Sequence, residues 1–107
     1  MQPEYVFKIY EKSEDEIILY ISGTLMGEKA PMDLQKQFDI LIQKPHTHII
    51  LNMKETTGIN SSCIGRLFMA RKHLAEKGKT IKIRGCSDNL MRTFQIIKAN
   101  QLIEIEP

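Results

Sequence analysis

Two hydroxyl side chains and a thiol follow one another at a single junction of the sequence. Ser61, Ser62 and Cys63 come directly after Asn60, where a loop leads into a run of residues with helical spacing. The first turn of a helix has backbone N–H groups without intrahelical partners and carries a partial positive charge, so a hydroxyl there is exposed and well placed to carry a phosphate. A phosphate would add up to about two negative charges, enough to reverse a docking equilibrium. The junction therefore indicates a switchable serine at Ser61.

The same junction supports two other interpretations. Asn-Ser-Ser before an amphipathic helix is a capping sequence, because these side chains accept hydrogen bonds from the amides of the first turn. Cys63 would lie at the helix N-terminus, where the dipole lowers the pKa of a thiol, so a redox-sensitive thiol is the second alternative. These residues alone leave all three interpretations open.

Other residues that could bind a metal or catalyse a reaction form no recognisable set. His46 and His48 offer two imidazoles, but no Cys, Asp or Glu stands at a convincing spacing, so we interpret them as a polar loop that enters a strand. Neither a phosphate-binding loop nor a Ser-His-Asp pattern stands out. We therefore expect no catalytic site, no metal and no cofactor.

The composition is typical of one cytoplasmic globular domain. The chain has 107 residues, of which 42% are apolar and 26% charged, and we predict a single domain over residues 1–107. The apolar runs are far shorter than the roughly 20 residues that cross a bilayer, and the first five residues, Met1 to Tyr5, lack a secretory signal. The net charge is +2, and basic residues alternate with acidic ones, so neither a nucleic acid nor a membrane is expected as a partner. The two cysteines are expected to be reduced thiols.

Hydrophobic periodicity predicts the elements of the first half of the chain. Residues 5–10 alternate between apolar and polar side chains, which is typical of a strand with one buried face. A second strand over residues 17–21, ended by Ser22-Gly23, would pair with the first as an antiparallel hairpin. A helix is predicted from Pro31 or Met32 through Ile42 and is stopped at Lys44-Pro45.

The second half alternates between strands and helices. A buried strand over residues 48–53 is followed by a connection over 54–59, and a helix capped by Asn60-Ser61-Ser62 then runs to a left-handed cap at Gly78. Further elements are predicted in the order strand, helix and edge strand, over residues 80–84, 87–97 and 102–105. The six methionines, including Met26, Met32, Met69 and Met91, are expected to fill gaps in the core. This order predicts an α/β sandwich with helices on one face of a mixed sheet.

Residues 48–53 and 59–72 resemble the STAS family. In that family a hydrophobic strand runs into Asp-Ser-Ser-Gly or Asp-Ser-Thr-Gly, followed by Leu-Gly or Ile-Gly and a helix. The resemblance extends over nearly the whole chain, through residues 18–25 with the pattern Gly-x-Leu, residues 77–83, and Ser87, Leu90, Arg92 and Phe94. It implies a STAS-type sandwich, with a mixed four- to five-stranded sheet and three or four helices mainly on one face.

What the resemblance implies for function is a partner switch. In the antagonist branch of the family, the unphosphorylated domain binds a serine kinase that is also an anti-sigma factor, and phosphorylation of the first serine of the motif releases it until a phosphatase resets the domain. Carried onto this sequence, the acceptor is Ser61, and the docking surface includes residues 24–32 and the start of the second helix. The residues expected to contact the partner are Asn60, Ser61, Ser62, Cys63, Thr24 and Arg66. The domain itself is expected to be a monomer or a weak homodimer.

The chain departs from the family pattern at three places. Asn60 replaces an Asp, which keeps the cap but removes a negative charge beside the acceptor. Cys63 replaces a Gly, which we expect to add a side chain at the surface that a kinase approaches. Ala99-Asn100 replaces a glycine, a change that Asn in a left-handed turn would accommodate. The first two departures favour the alternative of a non-phosphorylated STAS scaffold or ligand-sensing module, and a third class is a small enzyme with Cys63 or Ser61 as nucleophile.

Overall fold

The first two strands form an antiparallel pair at one side of the sheet. The computed structural model describes residues 4–107 without the side chain of residue 100, so the prediction for the first residues, Met1 to Pro3, and the side chain at Asn100 lie outside it. Strand β1 (Tyr5–Glu11) pairs with β2 (Glu16–Leu25) in a register that joins Tyr5 to Gly23. Tyr5, Phe7 and Ile9 pack against the core while the residues between them are exposed, as the alternation predicted.

Strand β2 continues beyond Ser22-Gly23, where the sequence predicted its end. Gly23 has φ of 93°, and a Cβ atom on it would lie 2.1 Å from the carbonyl oxygen of Glu4. The glycine therefore allows β1 and β2 to approach closely, and it does not act as a turn. After a register shift at Gly23 and Thr24, the strand extends to Leu25.

A strand that the sequence predicted as a connection extends the sheet next to the functional junction. Strand β3 (His48–Asn52) pairs in parallel with the first part of β2, and β4 (Thr56–Ile59) pairs in parallel with its end. The hydroxyl of Thr56 donates to the carbonyl of Ile21 at 2.6 Å, which holds β4 in place. Because β4 has four residues and no alternating pattern, its sequence alone gave no strand signal.

Two further parallel strands complete the mixed sheet. Strand β5 (Thr80–Arg84) pairs with β3, and the short strand β6 (Glu104–Ile105) pairs with β5. The order is β1-β2-β3-β5-β6, with β4 beside β2, so the described residues form six strands. The predicted mixed α/β architecture is confirmed.

Three helices pack on one face of this sheet. They are α1 (Ala30–Gln43), α2 (Ser61–Glu76) and α3 (Asp88–Ile96), followed by a 3₁₀ turn (Ala99–Gln101). The core forms where the buried sides of the helices meet alternate residues of the strands. The helices contribute Leu34, Phe38, Leu67 and Leu74, and the strands contribute Ile17, Leu19, Ile49, Leu51, Ile81 and Ile83. Among the described residues, no helix is long and apolar enough to cross a membrane.

The helix ends follow the predicted chemistry, with one exception. Helix α1 stops before Pro45, and α2 is followed by Gly78 with φ of 73°, as predicted for a left-handed cap. The amide of Lys79 donates to the carbonyl of Leu74 at 2.8 Å and so closes the end of α2. The exception is the left-handed turn predicted at Asn100. The left-handed residue there is Lys98, with φ of 61°, and the backbone of residue 100 belongs to the 3₁₀ turn that follows it.

Candidate functional site

Asn60 fixes the junction between β4 and α2. Its backbone amide donates to the carbonyl of Leu25 at 2.9 Å, and its side-chain Oδ1 accepts from the amide of Cys63 at 2.8 Å. Its Nδ2 also donates to the carbonyl of Gly27 at 3.4 Å. The predicted capping is therefore carried out by Asn60, which ties the start of α2 to the end of β2 and to the loop that follows it.

Ser61 and Ser62 are the first two residues of α2, and both are exposed. Within the described part of the chain, neither hydroxyl makes a hydrogen bond, because Asn60 already provides the cap. The first turn of α2 contains no acidic residue. A phosphate on either serine would therefore meet the positive end of the helix dipole without a carboxylate in the same turn.

Cys63 is fully buried, which corrects two expectations from the sequence. Its side chain belongs to the core, so it adds nothing to the docking surface. Burial raises the pKa of its thiol, and nearby Arg66 opposes this only in part. A thiol that is buried and held protonated lacks the properties of a redox sensor or a nucleophile.

Thr24 and Arg66 lie on either side of the junction. The Oγ1 atoms of Thr24 and Thr57 are 2.7 Å apart, so a hydrogen bond joins β2 to β4 just before Asn60. Arg66, one turn into α2, is half-buried, and its Nη1 donates to Oε1 of Gln35 on α1 at 3.4 Å. Thr24 therefore supports the strand pair that leads to the junction, whereas Arg66 lies between the two helices.

An open groove of about 510 Å³ runs between the starts of α1 and α2, and we call it the α1–α2 groove. It is lined by Glu28, Pro31, Met32, Ser62, Gly65, Arg66 and Met69. The groove contains Ser62 and Arg66 from the predicted docking surface, and Ser61 directly precedes Ser62. Its lining combines apolar side chains, those of Met32 and Met69, with the polar side chains of Glu28, Ser62 and Arg66.

Sequence reasoning assigned three exposed methionines to the core. Met26, Met32 and Met69 are 46%, 61% and 49% exposed, so the prediction that they fill the core is wrong for these three. A signal for one of them was available, because Met69 falls outside the buried side of α2, which consists of Cys63, Ile64, Leu67, Ala70 and Leu74.

A hydrogen bond between Tyr5 and Asp33 joins the first strand to the first turn of α1. The phenol donates to Oδ2 of Asp33 at 2.5 Å, and the Tyr5 ring lies 5.4 Å from that of Phe7. Burial, followed by the bond to Asp33, raises the pKa of Tyr5 to about 12. The pair holds β1 against the helix that forms one wall of the α1–α2 groove, and no local sequence pattern identified it.

The two histidines do not form a shared site. His46 is buried, whereas His48 is exposed and its Nδ1 lies 2.7 Å from Oγ1 of Thr80. Residues 4–107 contain no cluster of three or more His, Cys, Asp or Glu side chains that could hold a metal ion.

Comparison with known proteins places this architecture in a family. The STAS domain family model matches residues 8–107. The anti-sigma-B factor antagonist of Listeria monocytogenes is 24% identical over 99 residues, which cover 92% of this chain and 86% of that protein. The chain therefore aligns with nearly the whole length of this relative.

Solved structures share the fold at lower identity. SpoIIAA, an anti-sigma factor antagonist from Bacillus, matches in its unphosphorylated form with a TM-score of 0.79 and 17% identity, covering 94% of this chain and 87% of that chain. The STAS domain of a SulP transporter from Vibrio cholerae matches with a TM-score of 0.67 and 16% identity, covering 92% and 77%. At these identities the likeness shows the fold alone. With the family model matched over residues 8–107, the chain belongs to the STAS domain family.

Proposed function

We propose that this STAS domain is a cytoplasmic anti-sigma-factor antagonist without catalytic activity of its own, and that it works by partner switching. The unphosphorylated domain binds a serine kinase that is also an anti-sigma factor. Phosphorylation of Ser61 by that kinase releases the domain, and a serine phosphatase resets it. The names of the Listeria relatives, anti-sigma-B factor antagonists, support the regulatory class.

The observation that carries the proposal is the exposed Ser61 hydroxyl at the first position of a 16-residue helix. Because Asn60 caps the helix in place of either serine, a kinase can phosphorylate the Ser61 hydroxyl without breaking a hydrogen bond within the domain. The added phosphate would lie at the positive end of α2, where negative charge stabilises a helix. The fold would therefore tolerate the modification, and the new charge would act on the bound partner.

The α1–α2 groove is the surface at which the added charge would weaken partner binding. The exposed side chains of Met32 and Met69 would be covered by a bound protein, and the centre of the docked surface would lose water. A phosphate with up to about two negative charges at its edge would either lose its hydration or face acidic groups of the partner. Both effects favour release.

The test is phosphorylation by the anti-sigma-factor kinase from the same genome, followed by peptide mass mapping. We expect one added phosphate, on Ser61. Ser61→Ala should remove it, whereas the matched variant Ser62→Ala, which changes the adjacent exposed hydroxyl, should keep it. A protein that stays unmodified while the kinase remains active towards itself or another substrate would overturn the assignment, as would a phosphate on Ser62.

A second function, that of a non-phosphorylated scaffold, is favoured by the chemistry of Asn60. Its side chain is occupied by Cys63 and Gly27, and it places no negative charge beside the acceptor. A kinase that requires an acidic residue directly before the acceptor serine would therefore not recognise this site. Stable partner binding that is equally strong in wild type, Ser61→Ala and Ser61→Asp would support this second function against the first.

A further inference from the structure

The methionines of the described residues fall into two groups. Met53 is fully buried and Met91 packs against the core, whereas Met26, Met32 and Met69 are between 46% and 61% exposed. Two of these three exposed methionines share one surface. Met32 and Met69 line the α1–α2 groove. Met26 directly precedes Gly27, whose carbonyl accepts the hydrogen bond from Asn60.

The exposed sulfur atoms of the described chain are therefore thioethers. Cys63 and Cys86 are 0% and 6% exposed, and burial raises the pKa of both thiols. Thiols in this condition react slowly with oxidants, because the thiolate is the reactive form. Methionine needs no deprotonation, and exposure largely determines how fast its thioether is oxidised to the sulfoxide.

We propose that Met32 and Met69 form an oxidant-sensitive modification site through which peroxides weaken docking at the α1–α2 groove. The inference rests on the proposed function, because it takes this groove as the place where the kinase binds. The thioether sulfur attacks one peroxide oxygen, an S–O bond forms, and the O–O bond breaks. The proton on the attacked oxygen passes to the departing oxygen, so the sulfur is oxidised by two electrons to the sulfoxide, and the peroxide is reduced to water, or to an alcohol if it is organic.

The sulfoxide changes what the groove can bury. A thioether is apolar and flexible and adapts to a partner surface, whereas a sulfoxide carries a strong acceptor oxygen. Burying that oxygen without a donor costs free energy, so the partner loses affinity. Methionine sulfoxide reductases reverse the reaction, which makes the site a switch that operates independently of Ser61.

The first experiment locates the oxidation. The full-length protein is treated with graded hydrogen peroxide, and peptide mass mapping follows the addition of one oxygen at each methionine. We expect Met32 and Met69 to be oxidised at doses that leave Met53 unchanged. Oxidation of Met53 at the same dose as Met32 and Met69 would overturn the site without touching the proposed function.

The second experiment measures kinase binding before and after treatment. We expect affinity to fall by about tenfold or more, to stay low after thiol reduction with dithiothreitol, and to return after methionine sulfoxide reductase. In the double variant Met32→Leu/Met69→Leu, whose side chains peroxide does not oxidise, the affinity should be the same before and after treatment, whatever the untreated variant's own affinity is. Ile40→Met, which adds an exposed methionine roughly two turns further along α1, should be oxidised without a larger loss than wild type.

The outcomes separate the two proposals. Full formation of both sulfoxides with undiminished binding would overturn the regulation alone. Untreated protein that fails to bind the kinase would overturn the proposed function and the regulation with it.

Discussion

Oδ1 of Asn60 accepts a hydrogen bond from the amide of Cys63 at 2.8 Å, and this one contact determines the roles of the residues between them. It caps α2, so the two serines keep hydroxyls without hydrogen bonds at the surface. Cys63, whose amide makes this bond, has its side chain in the core with the other buried residues of α2. The exposed acceptor and the buried thiol therefore lie two residues apart in the same capped turn.

Removal of the cap should weaken the fold at the docking surface. We expect Asn60→Ala to lower the free energy of unfolding by about 1 kcal/mol, because the Cys63 amide loses its acceptor. Asn60→Asp should lose much less, since Asp caps equally well and loses only the longer contact to Gly27. Urea unfolding of the three proteins checks this. An Ala variant as stable as wild type would show that the contact does not stabilise α2.

A negative charge at Ser61 should act on the partner and leave the fold intact. We expect Ser61→Asp to leave the free energy of unfolding unchanged or to raise it by about 0.3–1 kcal/mol, because the acid lies at the positive end of α2. The same variant should bind the kinase poorly, whereas Ser61→Ala should bind it. Thermal unfolding and a binding titration test both parts. A marked loss of stability in Ser61→Asp would mean that charge acts by unfolding the site.

Alkaline pH should destabilise the protein through Cys86. Burial raises the pKa of this thiol from 9.0 to about 11, so the folded state holds the proton more tightly than the unfolded state does. The protonated thiol's contribution to the free energy of unfolding is therefore intact below pH 9 and is lost as pH rises from 9 to about 11. Cys86→Ala should therefore lose stability less steeply over this range than wild type, because other titrating groups act equally in both. Parallel slopes in urea unfolding would contradict the raised pKa.

Two Gly→Ala substitutions should have opposite effects. At Gly23 the added Cβ would lie 2.1 Å from the carbonyl oxygen of Glu4 at a positive φ, and we expect a loss of about 2 kcal/mol or more. At Gly65, on α2, the added Cβ meets no atom within 4 Å, and we expect a gain of about 0.5–1 kcal/mol from helix propensity. Chemical denaturation measures both. A tolerated Gly23→Ala would mean that β1 and β2 can separate at low cost.

The sequence predicted the parts of the fold that depend on local signals. Helix α2 was located because Asn60 and Gly78 bear the chemistry of its two ends, and the exposure of Ser61 followed from that placement. Strand β4 was missed because its position depends on the distant contact of Thr56 with Ile21. The end of β2 was misplaced because Gly23 has the composition of a turn, whereas its actual role is close approach to Glu4.

The candidate site was predicted less completely than the fold. Cys63 could have been placed in the core, because it continues the row formed by Leu67, Ala70 and Leu74. The α1–α2 groove could not be foreseen, since it exists only where the starts of two helices meet. The bond between Tyr5 and Asp33 likewise joins residues that are 28 positions apart.

The central claim is tested most directly by the dissociation constant of the kinase for the domain with and without a phosphate on Ser61. The two forms are prepared from the same protein, and mass spectrometry confirms complete modification. We predict that the phosphorylated form binds about a hundredfold more weakly or worse, because like charge and lost hydration at the groove each cost free energy. Equal affinity of the two forms would contradict the switch.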